Sequence, residues 1–99
     1  MPEIDKVIHQ PVRLRIMSAL MALDPKEQLE FTYLRDFLRL TDGNLGAHLL
    51  KLEQAGYVRL DKTFVLRKPR TYITATRKGR RAFEDHVEAL KQIINAPGS

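Results

Sequence analysis

The strongest constraint on this chain is a change of apolar period at Gly56. Before it, apolar side chains recur at helical spacing in three successive stretches: Val12, Ile16, Leu20 and Leu23, then Leu34, Phe37 and Leu38, then Leu45, Leu49 and Leu52. Each set marks one face of an amphipathic helix. After Gly56, Val58, Leu60, Lys62 and Phe64 alternate with Arg59, Asp61 and Thr63, the two-residue period of a half-buried strand. Thr71-Tyr72-Ile73-Thr74 is rich in β-branched and aromatic residues and predicts the returning strand. Ala82, Phe83, Val87, Leu90 and Ile94 restore helical spacing, ending near Asn95 before Pro97-Gly98.

Local signals place the boundaries. Pro11 suits the first position of a helix, where its missing N–H costs nothing, and Asp24-Pro25 predicts where that helix stops. Residues 1–10 read as a short arm or single helical turn with Ile4, Val7 and Ile8 on its apolar side, and Leu29-Glu30-Phe31 as a very short strand. Thr32, Thr41 and Thr76 each read as a helix N-cap, whose hydroxyl accepts from a first-turn N–H. Asp42 adds a favourable charge at a helix start, and Gly56 is the residue that commonly closes a helix. Two helices across a short turn, the second closed by glycine, form a helix-turn-helix pattern. The predicted hairpin tip, about Val65 to Pro69, is basic.

With 99 residues and 43% hydrophobic content, the chain supports one domain with one modest core. We divide it into an arm (1–10), the helices and hairpin (11–75) and a last helix (76–95) within a single domain, 1–99, mainly α with a small β-hairpin. The formal net charge of +5 conceals a division: residues 59–81 hold nine cations and one acid, a net +8, which leaves −3 for the rest. Such a segment suits an anionic partner. Cysteine is absent, which excludes disulfides, thiolate metal sites and Cys nucleophiles and fits a reducing cytoplasm. Glu3, Asp5, Lys6, Arg13 and Arg15 within the first twenty residues predict no secretory leader, and no apolar run is long enough for a membrane span. His9, His48 and His86 lack metal-ligand spacing, and no nucleophile motif or Gly-rich phosphate loop is present. The sequence therefore predicts no enzyme, cofactor or metal site.

The run Thr41-Asp42-Gly43-Asn44-Leu45-Gly46-Ala47-His48-Leu49, followed by Leu52-Glu53-Gln54-Ala55-Gly56-Tyr57-Val58, resembles the winged-helix transcription regulators of the broad MarR-like and ArsR-like group. The His48-Leu49 pair, the wing run Arg67-Lys68-Pro69-Arg70-Thr71 and the Thr74 to Gly79 spacing resemble the small stand-alone members. The resemblance covers roughly Pro11 to Leu90. It implies a three-helix core, a wing and a C-terminal dimerisation helix. It further implies a dimeric repressor with the recognition helix, 41–55, in the major groove of double-stranded DNA and the wing, 64–70, on the minor groove and backbone. The missing Cys departs from the thiolate metal sensors of that group.

The residues assigned to DNA are Thr32, Thr41, Asn44, Ala47, His48, Lys51, Lys62, Arg67, Lys68 and Arg70. Asn44 offers the donor–acceptor fork that pairs with adenine, Ala47 leaves room for a thymine methyl, and Lys51 reaches phosphate or guanine. Gly43 and Gly46 permit close approach at a cost in helix propensity. Arg67, Lys68 and Arg70 suit a narrow minor groove, and Pro69 stiffens their loop. Ile4, Ile8, Met17, Met21, Val87, Leu90 and Ile94 are assigned to a homodimer interface. An unidentified small-molecule effector is placed near His86, Tyr33 and Tyr72. Arg77, Lys78, Arg80 and Arg81 stand at a helix N-terminus, where cations oppose the helix dipole, so a purely structural role explains them poorly. The alternative is a winged helix serving as a protein-interaction module within a larger transcription-related assembly.

Overall fold

The computed structural model describes residues 3–96; the last helix ends at Ile94 with Asn95 as its C-cap, as expected, and Pro97-Gly98 lie outside the described residues. Element order is α1 (Lys6–His9), α2 (Pro11–Met21), β1 (Leu29–Glu30), α3 (Phe31–Leu38), α4 (Asp42–Gln54), β2 (Val58–Val65), β3 (Lys68–Ala75) and α5 (Arg77–Ile94). The antiparallel sheet has the order β1-β3-β2, with Leu29 opposite Ile73 and Leu60 opposite the same residue from the other side. Ile16 and Leu20 of α2, Leu34 and Leu38 of α3, Leu45, Leu49 and Leu52 of α4, and Val58 and Ile73 of the sheet form one core. This is the α+β architecture of a three-helix bundle with a wing.

Two caps match the sequence reading. Thr41 and Thr76 accept from Asn44 N–H and Gly79 N–H at 3.1 and 3.0 Å. Thr32 does not cap α3. The cap is Glu30, whose carboxylate accepts from Thr32 N–H at 2.8 Å and from Tyr33 N–H at 3.3 Å. A carboxylate two residues earlier offers two oxygens and a charge suited to the helix dipole, and it prevails over the hydroxyl. Burial pushes the Glu30 carboxyl up, but bonds from Thr32, Tyr33 N–H and the field of Arg70 outweigh it and hold it below its ordinary value. Helix α2 stops at Met21, three residues short of Asp24.

The wing also differs from expectation. Both strands run to the tip, and the turn is only Leu66-Arg67, with φ of +51° and +67°. Positive φ at both central residues is the type I′ geometry that matches the strand twist. Pro69 lies inside β3 opposite Phe64, one pair in from the closing pair Val65–Lys68. That is a non-hydrogen-bonded position, where the missing N–H points away from β2 and no ladder bond is lost.

Helix α5 meets the core through a junction that only glycine allows. A Cβ on Gly79 would stand 2.0 Å from the Tyr57 carbonyl oxygen. Thr76 N–H donates to that same oxygen at 3.0 Å, and its hydroxyl donates to Gly56 O at 2.6 Å. Gly56 itself has φ +80°, the left-handed residue that ends α4.

The dimer assignment is corrected at two positions. Ile8 and Met17 are fully buried in this chain's own core and present nothing to a partner. Ile16, Met17 and Leu20 together widen the buried stripe of α2, and α1 folds back to insert Ile8. His86, on α5, is also fully buried; its Nδ1 accepts from Asp5 N–H at 3.0 Å, and His9 stands edge-on at 5.4 Å. Burial, and then the neighbouring His9, hold the His86 pKa below its ordinary value, although Asp5 acts in the other direction. The unfolded chain therefore takes up a proton at a pH where the folded chain does not. Stability is complete above about pH 6.5, the free-histidine value, and falls as pH drops below it. Denaturant unfolding at pH 7.5 and 5.5 is expected to show a lower midpoint at pH 5.5, with a smaller difference in His86→Gln. An equal difference in both proteins would contradict this assignment.

Candidate nucleic-acid interface

Helix α4 buries Leu45, Leu49 and Leu52 and turns its other face outward. That face carries Gly43, Asn44, Ala47, Leu50, Lys51 and Gln54, all exposed. Nothing lies within 4 Å of a Cβ added at Gly43 or Gly46, so neither glycine is required by packing inside the chain. The N-terminus of α4 is clamped by Arg35, which donates from Nη1 to Asp42 at 2.7 Å and from Nε to Asp36 at 2.9 Å. Arg35 is thus an internal brace between α3 and α4. The turn between these helices is made by Arg39 at φ +57°.

The assigned residues divide into four groups. Thr41, Asn44, Ala47 and Lys51 share the exposed side of α4. Arg67 and Lys68 are exposed at and beside the wing turn, with no carboxylate within 4 Å among the described residues. Lys62 is exposed where the wing meets α4, lining a groove of about 320 Å³ with Leu50, Glu53 and Thr71. The remaining three are more constrained. The Thr32 hydroxyl donates to Glu30 and is committed there. Arg70 lies in β3 opposite Thr63, its Nη1 at 3.9 Å from Glu30. His48 is half-buried with Nδ1 3.4 Å from Arg13 Nη1; burial first, and the Arg13 charge second, lower its pKa from the ordinary histidine value.

One feature escaped the sequence reading. Leu66, at the wing apex, is 92% exposed, and Phe64 beside it is 74% exposed. The tip is therefore amphipathic, with apolar and cationic side chains together. The only sequence sign was the run Phe64-Val65-Leu66 preceding the cations. The effector placement is not supported by the geometry. His86 is sealed in the α1–α5 contact, Tyr33 stacks on Phe37 along α3 at 6.2 Å, and neither they nor Tyr72 line any of the three main cavities.

A helix braced at its N-terminus, offering a small polar face, next to a hairpin with a cationic tip defines a winged helix-turn-helix. The chain belongs to the winged helix DNA-binding domain family, whose model matches residues 12–94. Over 88 residues it is 40% identical to an uncharacterized protein of Methanocaldococcus jannaschii, spanning 89% of this chain and 92% of that one. It superposes with a TM-score of 0.82 on the structure of a transcriptional regulator homologue from Pyrococcus horikoshii, at 32% identity, covering 94% of this chain and 89% of the other. Among the described residues no helix is long and apolar enough to cross a membrane, and no cluster of three metal-ligating side chains occurs.

The division of labour on α4 gives a direct test. Thr41→Ala removes the cap and is expected to lower the unfolding free energy by about 1 kcal/mol. Asn44→Ala takes away an exposed side chain whose backbone alone takes part in the cap, so stability is expected to change by less than about 0.5 kcal/mol. Its duplex affinity is expected to fall by about 1–3 kcal/mol. Denaturant unfolding and fluorescence anisotropy measure the two quantities. A destabilised Asn44→Ala with unaltered affinity would make Asn44 a structural residue.

Proposed function

We propose that this protein is a sequence-specific double-stranded DNA-binding transcriptional regulator that acts as a homodimer and represses by occluding a promoter. The observation that carries this reading is the pairing of the exposed Asn44–Lys51 face of α4 with the unneutralised Arg67 and Lys68 of the wing. A helix of this kind enters the major groove, and its N-terminal residues meet base edges first. Asn44 then reads adenine, Ala47 admits a thymine methyl, and Lys51 and Lys62 hold phosphates. Arg67 enters the adjacent minor groove, where its planar guanidinium suits the enhanced negative potential. Leu66 adds an apolar contact against the sugar walls, in the manner of side chains that wedge into minor grooves.

Support for a dimer comes from α5. Val87 and Leu90 are half-buried, while Ile93 and Ile94 are 54% and 77% exposed, an apolar strip left uncovered in the monomer. Met21 and Ile4, also half-buried, complete the revised set. A two-fold dimer would place two recognition helices about 34 Å apart on a palindromic site. The interaction-module reading draws on a different feature, the exposed Tyr33–Phe37 stack beside the groove of Leu14, Ala19 and Ala22. That patch leaves the wing charge unexplained.

If each protomer neutralises about 3–4 phosphates, duplex affinity falls with salt along a log–log slope of roughly −5 to −7 for the dimer. The variant Arg67→Ala/Lys68→Ala/Arg70→Ala is expected to flatten that slope by about 3–4, because Arg70 is already partly engaged by Glu30. Anisotropy titrations across a salt series read both the affinity and the slope. An unchanged affinity in the triple variant would overturn this reading.

A further inference from the structure

Two of the cations that open α5 converge on a recess away from α4. Arg77 and Arg80 line a cavity of about 720 Å³ together with Lys26 of the α2–β1 loop and Arg59 of β2. Thr74 and Thr76 line the same wall, and no carboxylate does. Four cationic side chains from three separate elements thus converge on one recess, within the roughly 300–1,000 Å³ range of small-ligand pockets.

Its position separates it from the recognition helix. Leu60, Lys62 and Thr71 line the groove against α4. Arg59 and Thr74 are a cross-strand pair one residue out of phase with them, so they occupy the opposite face of the sheet. A ligand there does not compete for the α4 surface; it bridges the wing base, the loop and the start of α5.

The charges in the recess are poorly satisfied. Lys26, Arg77 and Arg80 have no carboxylate within 4 Å among the described residues. Arg59 pairs with Asp61 at 3.1 Å, but both side chains are largely exposed, so the pair is weak and exchangeable. Arg80 is the informative group. Its Nε is buried with no partner, and its terminal nitrogens make only long contacts, 3.8 Å to Met21 Sδ and 3.5 Å to Leu23 O. A guanidinium carries five donors, and burying one of them unpartnered is costly. An anion in the recess would give the terminal nitrogens of this guanidinium a closer acceptor than Met21 or Leu23 and would offset the repulsion between the cations and the positive end of the helix dipole.

We propose that this cavity binds a small phosphorylated anion, with Lys26, Arg77 and Arg80 gripping the phosphate oxygens and Arg59 turning from Asp61 to join them. The site is distinct from the DNA-binding surface, and it stands or falls independently of it. Because it joins the base of the wing to α5, occupancy would fix the wing relative to the helix.

The test uses the full chain and pyrophosphate as probe, titrated by calorimetry at constant ionic strength, with sulfate as the comparison anion. Three proteins are compared: wild type, Lys26→Gln/Arg77→Gln, and a tip control, Arg67→Gln/Lys68→Gln. Each lost charge-assisted contact is worth roughly tenfold in affinity. The expected result is saturable binding to wild type, binding at least about tenfold weaker in Lys26→Gln/Arg77→Gln, and no more than about a twofold change in the tip control. Arg59→Gln, at an exposed position, provides a second variant should the double one fold poorly, and the expectation is a weakening of the same sign. Equal weakening in the tip control would make the binding a general charge effect and overturn the site, as would pyrophosphate binding no tighter than sulfate. A flattened duplex salt slope with unchanged pyrophosphate binding in Lys26→Gln/Arg77→Gln would reassign these cations to the DNA backbone.

Discussion

Thr76 closes the hairpin back onto the end of α4, and the geometry of the whole interface depends on that closure. Its N–H reaches Tyr57 O and its hydroxyl reaches Gly56 O, while Gly79 lets α5 approach the same carbonyl without a Cβ in the way. The strand leaving α4 and the helix leaving the wing are thereby fixed to one another at their roots. The wing itself has little of its own to hold it: beyond Leu60 every residue of β2 is exposed. Its orientation is set by this junction, by the pairing of β3 with β1, and by Arg70 near Glu30.

From this root the charge divides between two faces. The net +8 of residues 59–81 looked in the sequence like one basic patch. In three dimensions the chain folds it in two, because alternate residues of a strand face opposite sides. Lys62 lies on the α4 side, Arg67 and Lys68 are at and beside the tip, and Arg59, Arg77 and Arg80 turn to the far face. Arg80 also lies near Leu23 and Met21, though only through long contacts of its terminal nitrogens. The mildly acidic remainder of the chain contributes braces, among them Asp36 and Asp42 on Arg35 and Asp5 capping α1.

Much of the fold was legible because its signals are local. The Leu45, Leu49 and Leu52 stripe, the Thr41 and Thr76 caps and the Gly56 stop each depend on residues within a turn of one another. The failures have non-local or unusual causes. Glu30 caps α3 where the usual preference points to Thr32, since a carboxylate can serve two N–H groups at once. Leu66-Arg67 makes a type I′ turn without the Asn-Gly signal, and Leu66 adopts a backbone conformation that bulky residues rarely take. Ile8 and Met17 read as spare apolar surface because periodicity identifies a stripe but not what covers it. The His86 contact with Asp5 spans 81 positions, beyond any spacing rule. For the candidate site, the α4 face and the wing cations were readable from motif order, whereas the cavity at the α5 start is assembled from a loop, a strand and a helix.

On the proposed function, α4 and the wing read a specific duplex as a symmetric pair. Selection of bound duplexes from a random library, run at two salt concentrations, tests it most directly. A symmetric pair of recognition helices selects a palindromic consensus whose half-sites lie about one helical turn apart, with enrichment that sharpens at the higher salt as non-specific binding falls away. Recovery of sequences with no consensus at either salt would contradict it.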